Sequence, residues 1–318
     1  MTRLRAAIDI GTYTARLLIA SGPVGSGQLG SLARKRAYIR LSEDFDYSKE
    51  RMIQPGAIDR TVTALHDFLH DIGGLNVHST HAIATGLVRE ATNRDEFLGR
   101  IFERTGIRAN LISGEEEAQL TAKGVLYALG VQTHPFFIFD LGGGSTEFFL
   151  EHKGGDIVTS TPLGAATLTK NHLKSDPPKK TQVESLSGYI DHCLNNTDFE
   201  LIQRGEQSFI AGTGGTVTTL ALMLHGIGPE DVSAERINGL VLKRQQIEAL
   251  FDKMKELKFE ERLKLPGLDK GRAGIILAGS LVVIKILHFL KAIQLTVSLS
   301  DLLEGILINH FKGENNNG

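Results

Sequence analysis

The chain has 318 residues, 41% of them hydrophobic and 23% charged, with a formal net charge of −2. Such a length allows two domains of ordinary size, and such a composition belongs to a soluble globular protein. The lone cysteine, Cys193, excludes an internal disulfide, and no uninterrupted apolar run reaches membrane-spanning length. A charge so close to zero says nothing about partners, so a polyanionic ligand would need positive charge concentrated locally.

The opening "MTRLRAAIDI" runs straight into a strand, with no secretory signal expected ahead of it. In "AAIDIGTYTARLLIASG" an apolar strand ends in Asp9, passes Gly11, Thr12, Tyr13 and Thr14, and re-enters an apolar strand at Leu17. "LARKRAYIRL" then gathers Arg34, Lys35, Arg36 and Arg40, which suits either a polyanion track or a solvated strand edge. After Pro55-Gly56, the residues Ile58, Val62, Leu65, Leu69 and Ile72 recur at helical spacing. His66 and His70 stand at i, i+4 on that helix, a spacing that can hold a metal. They lie to the side of the apolar stripe, so a solvated face is expected. "STHAIATG" reads as a short buried strand, followed at once by Arg89 and Glu90 in "ATGLVREATN". Functional side chains often emerge there in α/β proteins, although a surface ion pair is the plainer expectation. "RDEFLGRIFERTGI" is an amphipathic helix.

In "ISGEEEAQLTAKGVLYALG", Ser113 and Glu116 have the spacing of a capping box, and Glu115 suits the positive end of the helix it opens. Glu117 is left without a local task. Thr121 and Gly124, four and seven residues on, give its face room for a ligand or a neighbouring domain. Taken alone, these residues favour a solvated acidic helix start.

The stretch "FIFDLGGGSTEFFL" repeats the acid–glycine–hydroxyl grammar of the first hairpin. Gly142, Gly143 and Gly144 bare the backbone so that successive N–H groups can converge on an anion, and Ser145 and Thr146 add hydroxyl donors. Asp140 and Glu147 offer hard oxygen ligands that suit Mg²⁺ rather than zinc. Further on, "KSDPPKKTQ", "GIGPEDVSAERING" and "LPGLDKG" read as surface loops, and Cys193 in "YIDHCLNN" as packing. A third glycine loop lies in "SFIAGTGGTVTTLALML", where a strand gives way to Gly212, Gly214, Gly215 and then a helix. "GRAGIILAGSLVVIKILHFLKAI" reads as a long buried helix, and the tail "KGENNNG" as disordered. Strands mixed with helices throughout give an α/β or α+β class. Two like hairpins about 130 residues apart suggest two related domains, each offering a loop to a shared cleft.

With both hairpins, "ISGEEEA" and "AGTGGTVTTLA" in view, the chain resembles the exopolyphosphatase and guanosine pentaphosphate phosphatase family, from Asp9 to about Gly305. The resemblance implies an α/β fold of two ribonuclease-H-like, actin-like domains facing an interdomain cleft. The expected domains are 1–120, completed by a C-terminal helix at 305–318, and 121–304. It further implies that Glu117 is the catalytic base and that Arg89 is a second catalytic residue. Gly11, Thr12, Tyr13, Thr14 and Arg16, Gly142 to Thr146, and Gly214, Gly215 and Thr216 become phosphate-binding, with Asp140 and Glu147 binding Mg²⁺. The implied substrate is linear polyphosphate or guanosine pentaphosphate. A kinase-like ATPase and a non-catalytic sensor of guanosine tetraphosphate or polyphosphate are the alternatives from other classes. The expected setting is cytoplasmic, without nucleic acid or membrane, with a homodimer as one expected state. Tyr13, Gly86, Asn238, Gly274 and Leu303 stand where the family pattern has Asn, Ser, His, Asp and Arg.

Overall fold

The computed structural model describes residues 3–24, 28–45, 50–131, 135–151, 155–197 and 209–315. It forms two compact units, Met1–Tyr127 with Asp301–Gly318, and Ala128–Ser300. The first unit contains β1 (Leu4–Ile10), β2 (Thr14–Val24), β3 (Gln28–Tyr38), α1 (Pro55–Gly74), β4 (Ser79–Ala84), α2 (Leu87–Glu90), α3 (Arg94–Thr105), β5 (Ala109–Leu111) and the greater part of α4 (Gly114–Leu129). Its sheet runs β3-β2-β1-β4-β5, with an antiparallel meander followed by two parallel strands reached through helices. β1 is buried along nearly its whole length, as expected of a central strand covered on both faces. On one face Ile8, Ile10 and Leu17 meet Ile58, Leu65 and Phe97 of α1 and α3.

The second unit contains β6 (Phe136–Leu141), β7 (Thr146–Leu150), β8 (Ile157–Thr161), α5 (Ala165–His172), α6 (Lys180–Asn195), β9 (Phe209–Thr213), α7 (Gly215–His225), α8 (Ala234–Ile237), β10 (Val241–Lys243), α9 (Arg244–Lys255), α10 (Phe259–Arg262), α11 (Ile276–Phe289) and β11 (Gln294–Val297). The sheet order β10-β11-β9-β6-β7-β8 repeats that of the first unit with one strand added at an edge. Its core gathers Phe137, Phe139 and Phe148 with Val282, Val283 and Ile286 of the almost wholly buried α11.

The final helix, α12 (Leu302–Asn315), packs in the first unit. Leu302, Leu303 and Ile306 cover the second face of that unit's sheet, against Ala7, Leu18 and Leu120. The expected boundary at 120/121 therefore falls inside α4, and the units part after Tyr127 and Ser300.

Some local expectations change and others hold. The long apolar helix is confined to Ile276–Phe289, because Lys270–Arg272 ahead of it forms a 3₁₀ turn capped by Asp269, which accepts from the Gly271 N–H at 2.9 Å. α12 continues through Asn315, so the first part of "KGENNNG" is helical, and residues 316–318 lie outside the described residues. The loop at 226–239 contains a 3₁₀ turn and α8. His66 and His70 are exposed on α1. β3 is an edge strand, where Arg34 pairs with Glu304 and Lys35 with Asp71. Cys193 is half-buried, and burial pushes its thiol up. Among the described residues, no helix is long and apolar enough to cross a membrane.

Candidate active site

The first glycine turn joins β1 to β2. The Gly11 N–H donates to Thr14 O at 3.0 Å, and a Cβ at Gly11 would lie 3.2 Å from that oxygen. Thr12 is buried, and its Oγ1 accepts from the Leu87 N–H at 2.9 Å, which ties the turn to α2. Gly86 makes that approach possible: its φ is +53°, and a Cβ there would lie 2.5 Å from Thr12 Oγ1. Tyr13 packs edge-on against Tyr38 while its carbonyl accepts from Ile39 and Arg40. Arg16 stands opposite Asp9 in the ladder, donating from Nε to Asp9 Oδ2 at 2.9 Å and from Nη1 to Asp301. Burial raises the Asp9 carboxyl above its ordinary range, Arg16 opposes that rise, and Asp301 adds to it.

Arg89 and Glu117 come together in the same unit. Ser113 Oγ accepts from the Glu116 N–H at 3.1 Å and opens α4. One residue further on, the Glu117 side chain is only 8% exposed, and Oε2 accepts from Arg89 Nη1 at 3.0 Å. Arg89 Nη1 also donates to Ile112 O at 3.1 Å, so the guanidinium links the end of β5 to the start of α4. Glu117 is thus neither a solvated residue nor merely part of a cap. The room beside Gly124 is taken by α12: a Cβ there would lie 2.0 Å from Asp301 O, and a Cβ at Gly305 would lie 1.9 Å from Leu120 O.

The second glycine turn joins β6 to β7. The Gly142 N–H donates to Ser145 O at 3.0 Å, the same closure as in the first turn. Gly142 O and Gly143 O accept from the first amides of α5, and Gly164 allows this packing, since a Cβ there would lie 2.1 Å from Gly144 C. Among the described residues, no hydrogen bond takes the amides of Gly143 or Gly144. Thr146 Oγ1 donates to Leu163 O at 2.7 Å, so that hydroxyl holds the turn against the segment before α5. Asp140 and Glu147 are buried and directly opposite each other in the ladder, and Ser160 Oγ donates to Glu147 Oε1 at 2.8 Å.

The third glycine loop joins β9 to α7, beside the second. Gly214 has φ +94°, and a Cβ there would lie 2.4 Å from Leu141 O and 2.7 Å from Asp140 Oδ1. Only glycine brings the start of α7 so close to the acid. A Cβ at Gly215 would fall on the Arg272 guanidinium. Thr216 is fully buried beside Gly279 of α11, and its hydroxyl has no hydrogen-bond partner among the described residues.

The Ppx/GppA phosphatase family profile matches residues 20–314. The chain belongs to that family. It is similar to exopolyphosphatase 2 of Mycobacterium tuberculosis, at 31% identity over 97% of this chain and 98% of that one. It is also similar to exopolyphosphatase 1 of Mycobacterium leprae, at 28% identity over 96% of this chain and 89% of that one. A crystal structure of the Aquifex aeolicus Ppx/GppA member superposes with a TM-score of 0.79 at 30% identity, covering 99% of both chains. An exopolyphosphatase from Cytophaga hutchinsonii gives 0.87 at 25% identity, covering 98% of both. The two units are accordingly the two actin-like domains of a Ppx/GppA phosphatase.

Two further residues beside the candidate site of this Ppx/GppA chain escaped the sequence. Arg272 lies against Gly215; its surroundings in "LDKGRAG" look like an ordinary polar loop. Asp301 pairs with Arg16 across 285 positions. No local pattern announces a partner so far away.

Proposed function

We propose that this Ppx/GppA protein is an exopolyphosphatase that removes terminal phosphate from linear polyphosphate with Mg²⁺ bound. The observation that carries the proposal lies in the second unit. There the opposed acids Asp140 and Glu147 flank a turn whose Gly143 and Gly144 amides are untaken among the described residues. Like charges opposite each other on a ladder repel, and a divalent cation relieves that repulsion. Among the described residues, no cluster of three or more His, Cys, Asp or Glu could hold a metal. Two carboxylates suit Mg²⁺ nonetheless, because that ion keeps several of its waters. When bound, Mg²⁺ would neutralise charge on phosphate oxygens during transfer.

The chain's own groups supply the remaining chemistry. The amides of Gly143 and Gly144 hold phosphate oxygens, and Arg16 provides positive charge beside the first turn. Glu117 accepts a proton from the attacking water at its carboxylate, held in orientation by Arg89. Water attacks phosphorus, the phosphoanhydride bond breaks, and the shortened chain leaves with its charge partly neutralised. The polyphosphate substrate is supported by the relatives named exopolyphosphatases. Guanosine pentaphosphate ends in the same anhydride, so the same groups would act on it. A cytoplasmic setting and a homodimer complete the proposal, to be checked by fractionation and light scattering.

The test is phosphate release from polyphosphate, guanosine pentaphosphate and ATP in parallel, with Mg²⁺ and with excess chelator. Polyphosphate should be turned over fastest, and chelation should abolish turnover. Full activity in chelator, or preference for ATP, would contradict the proposal.

A further inference from the structure

Arg16 enters β2 two residues after the first glycine turn, with a carboxylate at each end of its guanidinium. Nε and Nη2 donate to Asp9 Oδ2 at 2.9 and 2.8 Å, and Nη1 donates to Asp301 Oδ2. The three groups differ in freedom. Asp301 is 3% exposed and fixed on every side: Oδ1 accepts from the Leu303 N–H at 3.1 Å, and its own N–H donates to Glu304 Oε2 at 3.0 Å. Its carbonyl is wedged against Gly124 of α4. The Arg16 side chain, 19% exposed, is the partner with solvent access. An anion arriving at the turn therefore meets a guanidinium already engaged by an immobile acid.

We propose that Asp301 is a positioning residue that competes with the substrate phosphate for Arg16 and so weakens the hold on polyphosphate. It rests on the assignment of Arg16 to phosphate binding. Uniformly tight binding of a polyanion would slow release without raising the chemical rate, and a built-in competitor limits it. The same carboxylate caps α12, so the device is part of the helix that closes the first unit's sheet.

Asp301→Asn separates the two roles. Asparagine caps a helix about as well as aspartate, so the Leu303 contact can persist while the charge is lost. Polyphosphate affinity, measured by calorimetry at low salt, should rise by about three- to tenfold and the gain should shrink at high salt. KM should move more than kcat. The gain should vanish in an Arg16→Met background, since there is then no guanidinium to release. Unchanged or weaker affinity in Asp301→Asn overturns the proposal, and so does an equal gain in the Arg16→Met background. Should Asp301→Asn melt well below the parent protein, Asp301→Ser, which also retains a cap, is measured the same way. Because binding is read directly, a failure of Glu117 as the base would leave this result standing, and the reverse holds too.

Discussion

In the first unit the residue facing the strand-end acid is an arginine, whereas in the second it is another acid. Asp9 stands opposite Arg16, and Asp140 stands opposite Glu147, at the same ladder position beside the same turn. Both turns close with one glycine N–H on a carbonyl at 3.0 Å. The backbone device is repeated and the electrostatics are not. An acid–arginine pair can offer positive charge to a phosphate, while an acid–acid pair attracts a cation. On the function proposed above, the second turn would hold the metal as well as phosphate and the first would offer Arg16, and the exchanged residue after each turn sets that difference.

The largest expected effect lies at Glu117. Glu117→Gln keeps the size and a hydrogen bond to Arg89 but removes the proposed base. Turnover should fall by about two to four orders of magnitude with polyphosphate binding retained. A near-normal rate would return Glu117 to the status of a buried structural residue. The next effect separates the two turns. Gly143→Val should weaken polyphosphate binding by about ten- to a hundredfold, the worth of one or two hydrogen bonds to a charged group. Calorimetry checks this, and undiminished affinity would remove the second turn from phosphate binding. A smaller, purely structural effect is expected where the first unit has no spare room. Gly305→Ala should lower stability by about 1–3 kcal/mol in denaturant titrations, since its Cβ would strike Leu120 O.

The smallest effect concerns pH. The rings of His81 and His310 stack with centroids 3.4 Å apart, joining β4 to α12. Burial, His310 and Arg5 push His81 from 6.5 down to about 4. A depressed histidine favours the neutral form in the folded state. Its contribution is therefore complete above pH 6.5 and is lost as pH falls toward about 4. His81 is half-buried and His310 exposed, so screening limits the change to about 1–3 °C in Tm across that window. His81→Asn should flatten the slope; an unaltered slope would discount the pair.

Much of this was legible because it is local. The β-hairpin grammar, the α1 periodicity, the Ser113 cap and the acids at 140 and 147 all follow from neighbours within a few residues. What escaped the sequence depends on distant packing. Gly124 reads as a gap on a helix face until α12 arrives to fill it. Thr146 and Thr216 look alike as loop hydroxyls, yet the first donates to Leu163 O and the second lies buried beside Gly279 without a hydrogen-bond partner among the described residues. A hydroxyl in a glycine loop has two sides to face, and the choice is made by elements far along the chain. Asp301 and Arg272 were invisible for the same reason. The resemblance to the family supplied Glu117, which its own local pattern would have left as a helix start.

The division between the turns is tested most directly by Mg²⁺ activation curves for Asp140→Asn and Arg16→Met, measured on polyphosphate beside the unaltered protein. Asp140→Asn should raise the Mg²⁺ concentration for half-maximal activity by about tenfold or more. Arg16→Met should leave that concentration nearly unchanged while raising KM for polyphosphate. Equal Mg²⁺ requirements in Asp140→Asn and the unaltered protein, or a shifted requirement in Arg16→Met alone, would contradict the account.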